Sequence, residues 1–309
     1  MNDSMKLIAN IIDECSKVIV DKEFQIKLSL ATFFAGGHIL IEDIPGVGKT
    51  TLAKTLSRVL GLDYARVQFT SDLLPSDILG VNYYDTKEAT FTFKRGPVFT
   101  QFLLADEINR ASSKTQSALL EAMEERYVTI DGKSIALPYP FFVIATKNPF
   151  EEIGTYELPS SQLDRFAVSF SLGYPSAKAE REILKKAQKA TIHSLQSLTQ
   201  NELESIFASY QTVYLSEDIL DFIQEVLDFT RSSGLYKVGL STRSALILVD
   251  IAKGWALVHG RDYVTPQDVS TVLPTVTYHR LSAIEGRKNA GEIADEILKN
   301  VHPDNPNRR

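Results

Sequence analysis

The chain has 309 residues, 44% of them hydrophobic and 23% charged, with a formal net charge of −6. That is ordinary globular material, enough for two domains, and the acidic balance provides no global basic field for nucleic acid or an anionic membrane. One cysteine, Cys15, excludes an intramolecular disulfide; the five histidines are scattered and outline no metal site; no apolar run reaches membrane-spanning length.

Leu7, Ile8, Ile11, Ile12, Cys15, Val18 and Ile19 form the apolar stripe of a first helix, on which Cys15 reads as a small buried hydrophobe. The acidic residues of this segment and its lack of a signal-peptide core make the cytoplasm the expected compartment. After Ile19-Val20-Asp21-Lys22 a second amphipathic segment runs to about Phe34. A short apolar strand, Gly37 to Ile41, then enters Glu42-Asp43-Ile44-Pro45-Gly46-Val47-Gly48-Lys49-Thr50-Thr51. Leu52, Ala53, Leu56, Val59 and Leu60 follow at helical spacing as far as Gly61.

Strand, glycine-containing turn and a helix opening on Gly-Lys-Thr is the architecture of a phosphate-binding loop. Glycines let backbone N–H groups curl around an anion, and the helix N-terminus adds its unsatisfied donors and positive dipole end. Pro45 to Thr51 would hold the phosphates, with Lys49 reaching the β- and γ-phosphates of ATP and the Thr50 hydroxyl binding Mg²⁺. A Gly-Lys-Thr triple alone is common by chance, and Asp43 stands where the general pattern has its first glycine, so a bare strand–turn–helix junction competes with this reading. A second motif decides it. Phe102-Leu103-Leu104-Ala105-Asp106-Glu107 is an apolar run suited to a central parallel strand, and it ends in two carboxylates at the edge where open α/β sheets bind ligands. Asp106 would hold Mg²⁺, through water, and Glu107 would orient and deprotonate the attacking water.

Between these motifs, Tyr64–Phe69 reads as a strand and 70–77 as a capped loop or short helix. Val81–Tyr84 and Phe91–Phe93 read as an inserted hairpin. Beyond Glu107, Ser112 or Ser113 caps a helix, a second hairpin turns at Asp131-Gly132, and Phe141–Thr146 and Phe166–Leu172 are further strands. Gly173-Tyr174-Pro175-Ser176 marks a boundary, giving a nucleotide-binding core over 1–173 and an all-α unit over 174–309. In the latter, Thr199/Glu202 is a capping box, Ser216 and Ser241-Thr242 open helices, Thr265-Pro266 opens another, and the tail after Val301 frays.

The runs Gln68–Asp77, Gly96-Pro97-Val98-Phe99, Ala105–Ala111, Leu119–Glu125, Ala145–Pro149, Gly154–Phe166 and Gly260–Pro266 together resemble the MoxR family of AAA+ ATPases over nearly the whole chain. The resemblance implies an α/β P-loop core, with a parallel five-stranded sheet between helices and inserted β-hairpins, followed by an all-α lid and assembled as a ring, usually a hexamer. It makes Asn148 the sensor that aligns the attacking water, against a plain turn-favouring Asn before Pro149; Arg165 an arginine finger for the neighbouring subunit's site, against a surface ion pair with Asp164 or a nearby acid; and Arg243 the lid's sensor, acting in cis or in trans. Ile19 and Val20 fall at the adenine-contacting loop, with Asp21 where the family often has glycine. Asn109 and Arg110 either restrain Glu107, contact a neighbour or cap the next helix.

Such a protein couples Mg²⁺-dependent ATP hydrolysis to remodelling of protein clients, often ones with a von Willebrand factor A domain. Two rivals stand beside it. A nucleic-acid motor with the same hairpins is disfavoured by the acidic charge and by hairpins with few cations (Lys87 and Lys133). A nucleotide-gated scaffold with little turnover is disfavoured by the joint presence of Lys49, Asp106, Glu107, Asn148 and Arg165.

Overall fold

In a computed structural model, residues 2–149, 154–186, 192–284, 286 and 288–301 are described; the tail after Val301 lies outside them. Two helices, α1 (Asn2–Val18) and α2 (Glu23–Phe34), precede β1 (Ile39–Glu42) and α3 (Lys49–Val59). Then come β2 (Tyr64–Gln68), α4 (Pro75–Leu79), the hairpin β3 (Gly80–Asp85) and β4 (Thr90–Arg95), and β5 (Phe102–Asp106). A 3₁₀ turn over Ile108–Arg110 leads to α5 (Ser113–Glu125), the hairpin β6 (Tyr127–Ile130) and β7 (Lys133–Ala136), β8 (Phe142–Lys147), α6 (Ser160–Leu163) and β9 (Val168–Phe170). The remainder is helical: α7 (Ala177–Lys186), α8 (Gln200–Gln211), α9 (Glu217–Ser232), α10 (Thr242–Val258), α11 (Pro266–Thr277) and α12 (Ala290–Asn300).

The main sheet has the order β2-β5-β8-β1-β9, and every pairing in it is parallel. Its central strands are apolar and buried along their length, as parallel strands covered on both faces must be. All strands run the same way, so Gln68, Asp106, Lys147 and Glu42 share one exit edge. Both hairpins stand apart as separate two-stranded sheets, joined by Asn82 Nδ2 donating to Asp131 Oδ2 at 2.6 Å.

One expectation is corrected. The segment before β1 is not amphipathic: eight of the twelve residues of α2 are buried, on all sides. It packs against α10 and α1, and its Phe33 ring meets Phe142 of β8 at 5.3 Å, so beyond Lys27 it has no solvent face to carry a polar stripe. The approach is close enough to require glycine, since a Cβ on Gly254 would lie 2.3 Å from the Ala31 carbonyl oxygen. One continuous hydrophobic cluster therefore joins α1 and α2 to the sheet's inner face and to the C-terminal helices. The last strand is also shorter than the 166–172 run, because Ser171 and Gly173 turn their polar groups to Asp43.

Candidate active site

The turn after β1 builds a cradle. Gly46 and Gly48 take φ values of 85° and 98°, in the left-handed region, and no heavy atom stands within 4 Å of where their Cβ atoms would be. Backbone conformation, rather than crowding, calls for glycine there. Gly48 is the N-cap of α3, so the helix's unsatisfied N–H groups open onto that space. Lys49 Nζ donates to the Asp43 carbonyl oxygen at 2.5 Å, which holds the ammonium over the loop.

Asp43 explains its own departure from the general pattern. Its φ is not left-handed, so glycine is not needed, and its buried carboxylate accepts from Ile44 N–H at 2.8 Å, Ser171 Oγ at 2.9 Å and Gly173 N–H at 2.7 Å. The phosphate loop is thereby tied to the segment leading into the C-terminal helices.

A cavity of about 350 Å³ brings Pro45, Gly46, Gly48, Lys49, Thr50 and Thr51 together with Asp106, Glu107, Asn148 and Arg66. Asp106 is nearly buried at the end of β5. Its Oδ1 accepts from Thr146 Oγ1 at 2.5 Å, and its Oδ2 accepts from Arg66 Nη2 at 2.7 Å. Glu107 follows with a φ of 57°, a left-handed conformation uncommon for a non-glycine residue and of the kind that clusters at functional sites. Its N–H donates to Thr146 Oγ1, and its Oε2 accepts from Gln68 Nε2 at 2.8 Å and Arg110 Nη1 at 3.1 Å. Of the three possibilities for Arg110, the structure shows contact with Glu107. Asn109 points inward, only 2% exposed. Asn148 is buried just beyond β8, beside Asp106 in the sheet.

A second cavity of about 440 Å³ adjoins the first, sharing Gly46, Gly48 and Thr51. Ile19, Val20, Val47, Leu172 and Tyr174 line it, an apolar slot suited to a planar base. Asp21, with a φ of 61°, adopts the backbone conformation that glycine would take, and aspartate is among the few residues tolerated there. Its Oδ2 accepts from Ser176 N–H at 3.1 Å.

Among the described residues no group of three or more His, Cys, Asp or Glu side chains could cage a metal. The Thr50 hydroxyl and Asp106 carboxylate are hard oxygen donors on one cavity, a set that fits Mg²⁺ arriving with phosphate and water ligands of its own. Burial pushes the Cys15 thiol up to about 12, in keeping with a packing role.

Arg165 and Arg243 lie elsewhere. Arg165 just precedes β9, whose register begins with Ile39↔Val168, so it sits at the entry edge of the sheet. The exit edge is roughly 16 Å away, the span of a strand such as β8 at about 3.3 Å per residue. Arg165 Nε pairs with Glu124 Oε2 at 2.9 Å and Arg243 Nη1 with Glu124 Oε1 at 2.7 Å. Asp164 accepts from Arg280 Nε at 2.7 Å and lies 4.0 Å from Arg243. Arg280 is deeply buried, and burial pulls its guanidinium below the usual arginine range.

Sequence reasoning missed Arg66, Gln68 and Glu124. Arg66 and Gln68 alternate along β2 as a strand's solvent face would, and only the β2–β5 pairing, with Gln68↔Asp106, sets them at the site.

Residues 38–168 match the model of the ATPase family associated with various cellular activities (AAA), and residues 228–301 match an AAA lid domain. An uncharacterised Bacillus subtilis protein, YeaC, is 41% identical over 97% of this chain and 94% of its own. Chaperone MoxR1 of Mycobacterium tuberculosis is 40% identical over 94% of this chain and 79% of its own. A crystal structure of a candidate ATPase from Cytophaga hutchinsonii superposes with a TM-score of 0.87 at 36% identity, covering 96% of both chains. The chain belongs to the MoxR family of AAA+ ATPases.

Proposed function

We propose that this chain hydrolyses ATP with Mg²⁺ at a site shared between adjacent subunits of a ring, and couples the cycle to remodelling of protein clients. The observation that carries this reading is the separation of parts. Cradle, Asp106, Glu107 and Asn148 line one cavity at the exit edge, while Arg165 and Arg243 converge on Glu124 at the entry edge. Packed head to tail, one subunit's entry edge would complete its neighbour's site, as in a heterologous ring contact.

In this account Gly46, Gly48 and Lys49 bind the phosphates, Ile19, Val20 and Val47 hold the adenine, and Thr51 closes the floor of the cradle. Thr50 and Asp106 would hold Mg²⁺, which neutralises phosphate charge. Glu107 takes the proton of the attacking water, Asn148 helps to align it, and the neighbour's Arg165 and Arg243 face the charge that develops on the γ-phosphate. A core over 1–173 and a lid over 174–309 would meet at Gly173, whose N–H donates to Asp43.

A chaperone-like role is supported by the MoxR1 relative and by the β3–β4 hairpin, whose Val81, Tyr83, Tyr84 and Phe91 are exposed. Such a patch suits an apolar client segment; a client with a von Willebrand factor A domain is the expectation for the family. We place this activity in the cytoplasm, and no helix among the described residues is long and apolar enough to cross a membrane. The test is a pair of substitutions. Glu107→Gln should keep ATP affinity while turnover falls about 10²- to 10⁴-fold, and Lys49→Ala should lose nucleotide binding. Wild-type turnover in Glu107→Gln would sink the assignment of the base.

A further inference from the structure

An unbroken polar chain crosses the exit edges of β2 and β5. Arg66 donates to Asp106 Oδ2 through Nη2 at 2.7 Å and Nε at 3.2 Å, and the same Nη2 donates to Gln68 Oε1 at 2.9 Å. Gln68 Nε2 then donates to Glu107 Oε2 at 2.8 Å. The metal-side carboxylate and the candidate base are thus linked through two side chains of β2.

Asp106 is 8% exposed, and an ionised carboxylate so placed needs a compensating charge. With Thr146 on Oδ1, Arg66 supplies that charge at Oδ2. A divalent cation, or a water it polarises, claims the same oxygen, and it would bring two positive charges to within a few ångström of a third. Arg66 is free to leave: its side chain is 43% exposed, and it lines the open cavity that also holds Lys49 and Thr50.

We propose that Arg66 is a displaceable counter-ion of the metal site. It neutralises Asp106 until a metal–nucleotide complex arrives, competes with the divalent cation for Asp106 Oδ2, and on displacement withdraws its hydrogen bond from Gln68, loosening the clamp on Glu107. Arg66 is a positioning residue in this scheme, acting on the base through Gln68. The inference rests on the reading of Asp106 and Thr50 as the metal-side residues.

The experiment is equilibrium binding of a fluorescent ADP analogue to the full chain, titrated with free Mg²⁺, for wild type and Arg66→Ala. Competition predicts that the Mg²⁺ concentration giving half-maximal tightening falls in the variant, by roughly tenfold, the scale of a charge-assisted hydrogen bond that is partly exposed. It also predicts that the variant is less heat-stable than wild type without metal and equal to it at saturating Mg²⁺ and ADP. A midpoint that stays put or rises overturns the proposal, a rise meaning that Arg66 helps to hold the metal complex. If Arg66→Ala does not fold, Arg66→Gln keeps a donor without the charge and carries the same expectation. A wild type whose ADP binding ignores Mg²⁺ overturns the metal-site reading as well; failure of the competition alone is recognised by a wild type that responds and a variant whose midpoint is unchanged.

Discussion

Arg243, in the first turn of α10, donates to Glu124 in the last turn of α5 across 2.7 Å. The opposite oxygen of that carboxylate takes Arg165, so an arginine from the core and one from the C-terminal helices are presented side by side. With Asp164 and Arg280 adjoining, three cations share two anions in this cluster. A cation in the first turn of a helix works against the dipole, and Glu124 offsets that cost. The same arrangement suits an incoming phosphate from a neighbour.

Removing either arginine should therefore damage turnover and spare the subunit's own nucleotide affinity. Arg165→Ala is expected to lower kcat of the assembled protein by about 10³-fold, the low end for an arginine finger, with ADP affinity changed less than severalfold. Arg243→Ala should act in the same direction. Steady-state hydrolysis alongside nucleotide titration separates the two effects, and a large loss of affinity with normal turnover would place these residues in their own subunit's pocket.

Close packing of α10 on α2 gives a stability prediction at a distance from the chemistry. Alanine at Gly254 would gain about 1 kcal/mol in helix propensity. Its Cβ would press on the Ala31 backbone at 2.3 Å, and overpacking of this kind costs about 1–3 kcal/mol. Net destabilisation is the expected result for Gly254→Ala in thermal or urea unfolding; an unchanged or raised midpoint would show that the two helices can part without loss.

Two buried histidines make stability fall in mild acid. His38 accepts from Val143 N–H at its Nδ1 at 3.0 Å, and His279 Nε2 lies 2.9 Å from the Phe166 carbonyl oxygen. Burial holds both well below the ordinary histidine range, with Arg126 and Arg280 respectively adding to the effect. A folded pKa below the unfolded one means that the unfolded chain binds more protons as pH falls. Stability is then complete above about pH 6.5 and declines below it by about 1.4 kcal/mol per pH unit for each group, until its folded pKa is reached. Unfolding midpoints between pH 7.5 and 5 should show this slope, and His279→Phe, which cannot titrate, should flatten it; an undiminished slope would assign the acid response to other groups.

Much of this was legible in the sequence where local pattern and chemistry coincide. The apolar runs ending in Asp106-Glu107 and in Asn148, the turn at Asp131-Gly132 and the Gly46–Thr51 cradle each announce their element within a few residues. Two kinds of feature escaped. The character of α2 depends on a partner over two hundred residues away, α10, which covers the face that pattern alone leaves to solvent. Arg66 and Glu124 look like ordinary surface charges on a strand and a helix, and only sheet register and the docking of α10 reveal what they hold. Long-range pairing, rather than unusual composition, makes them part of the site.

A complete site, on this reading, takes residues from two subunits. This is tested most directly by phosphate release per subunit measured across protein concentration, with light scattering on the same samples in ATP and Mg²⁺. Specific activity should climb steeply with concentration, in step with the appearance of a ring-sized species. A monomer whose turnover is independent of concentration would contradict it.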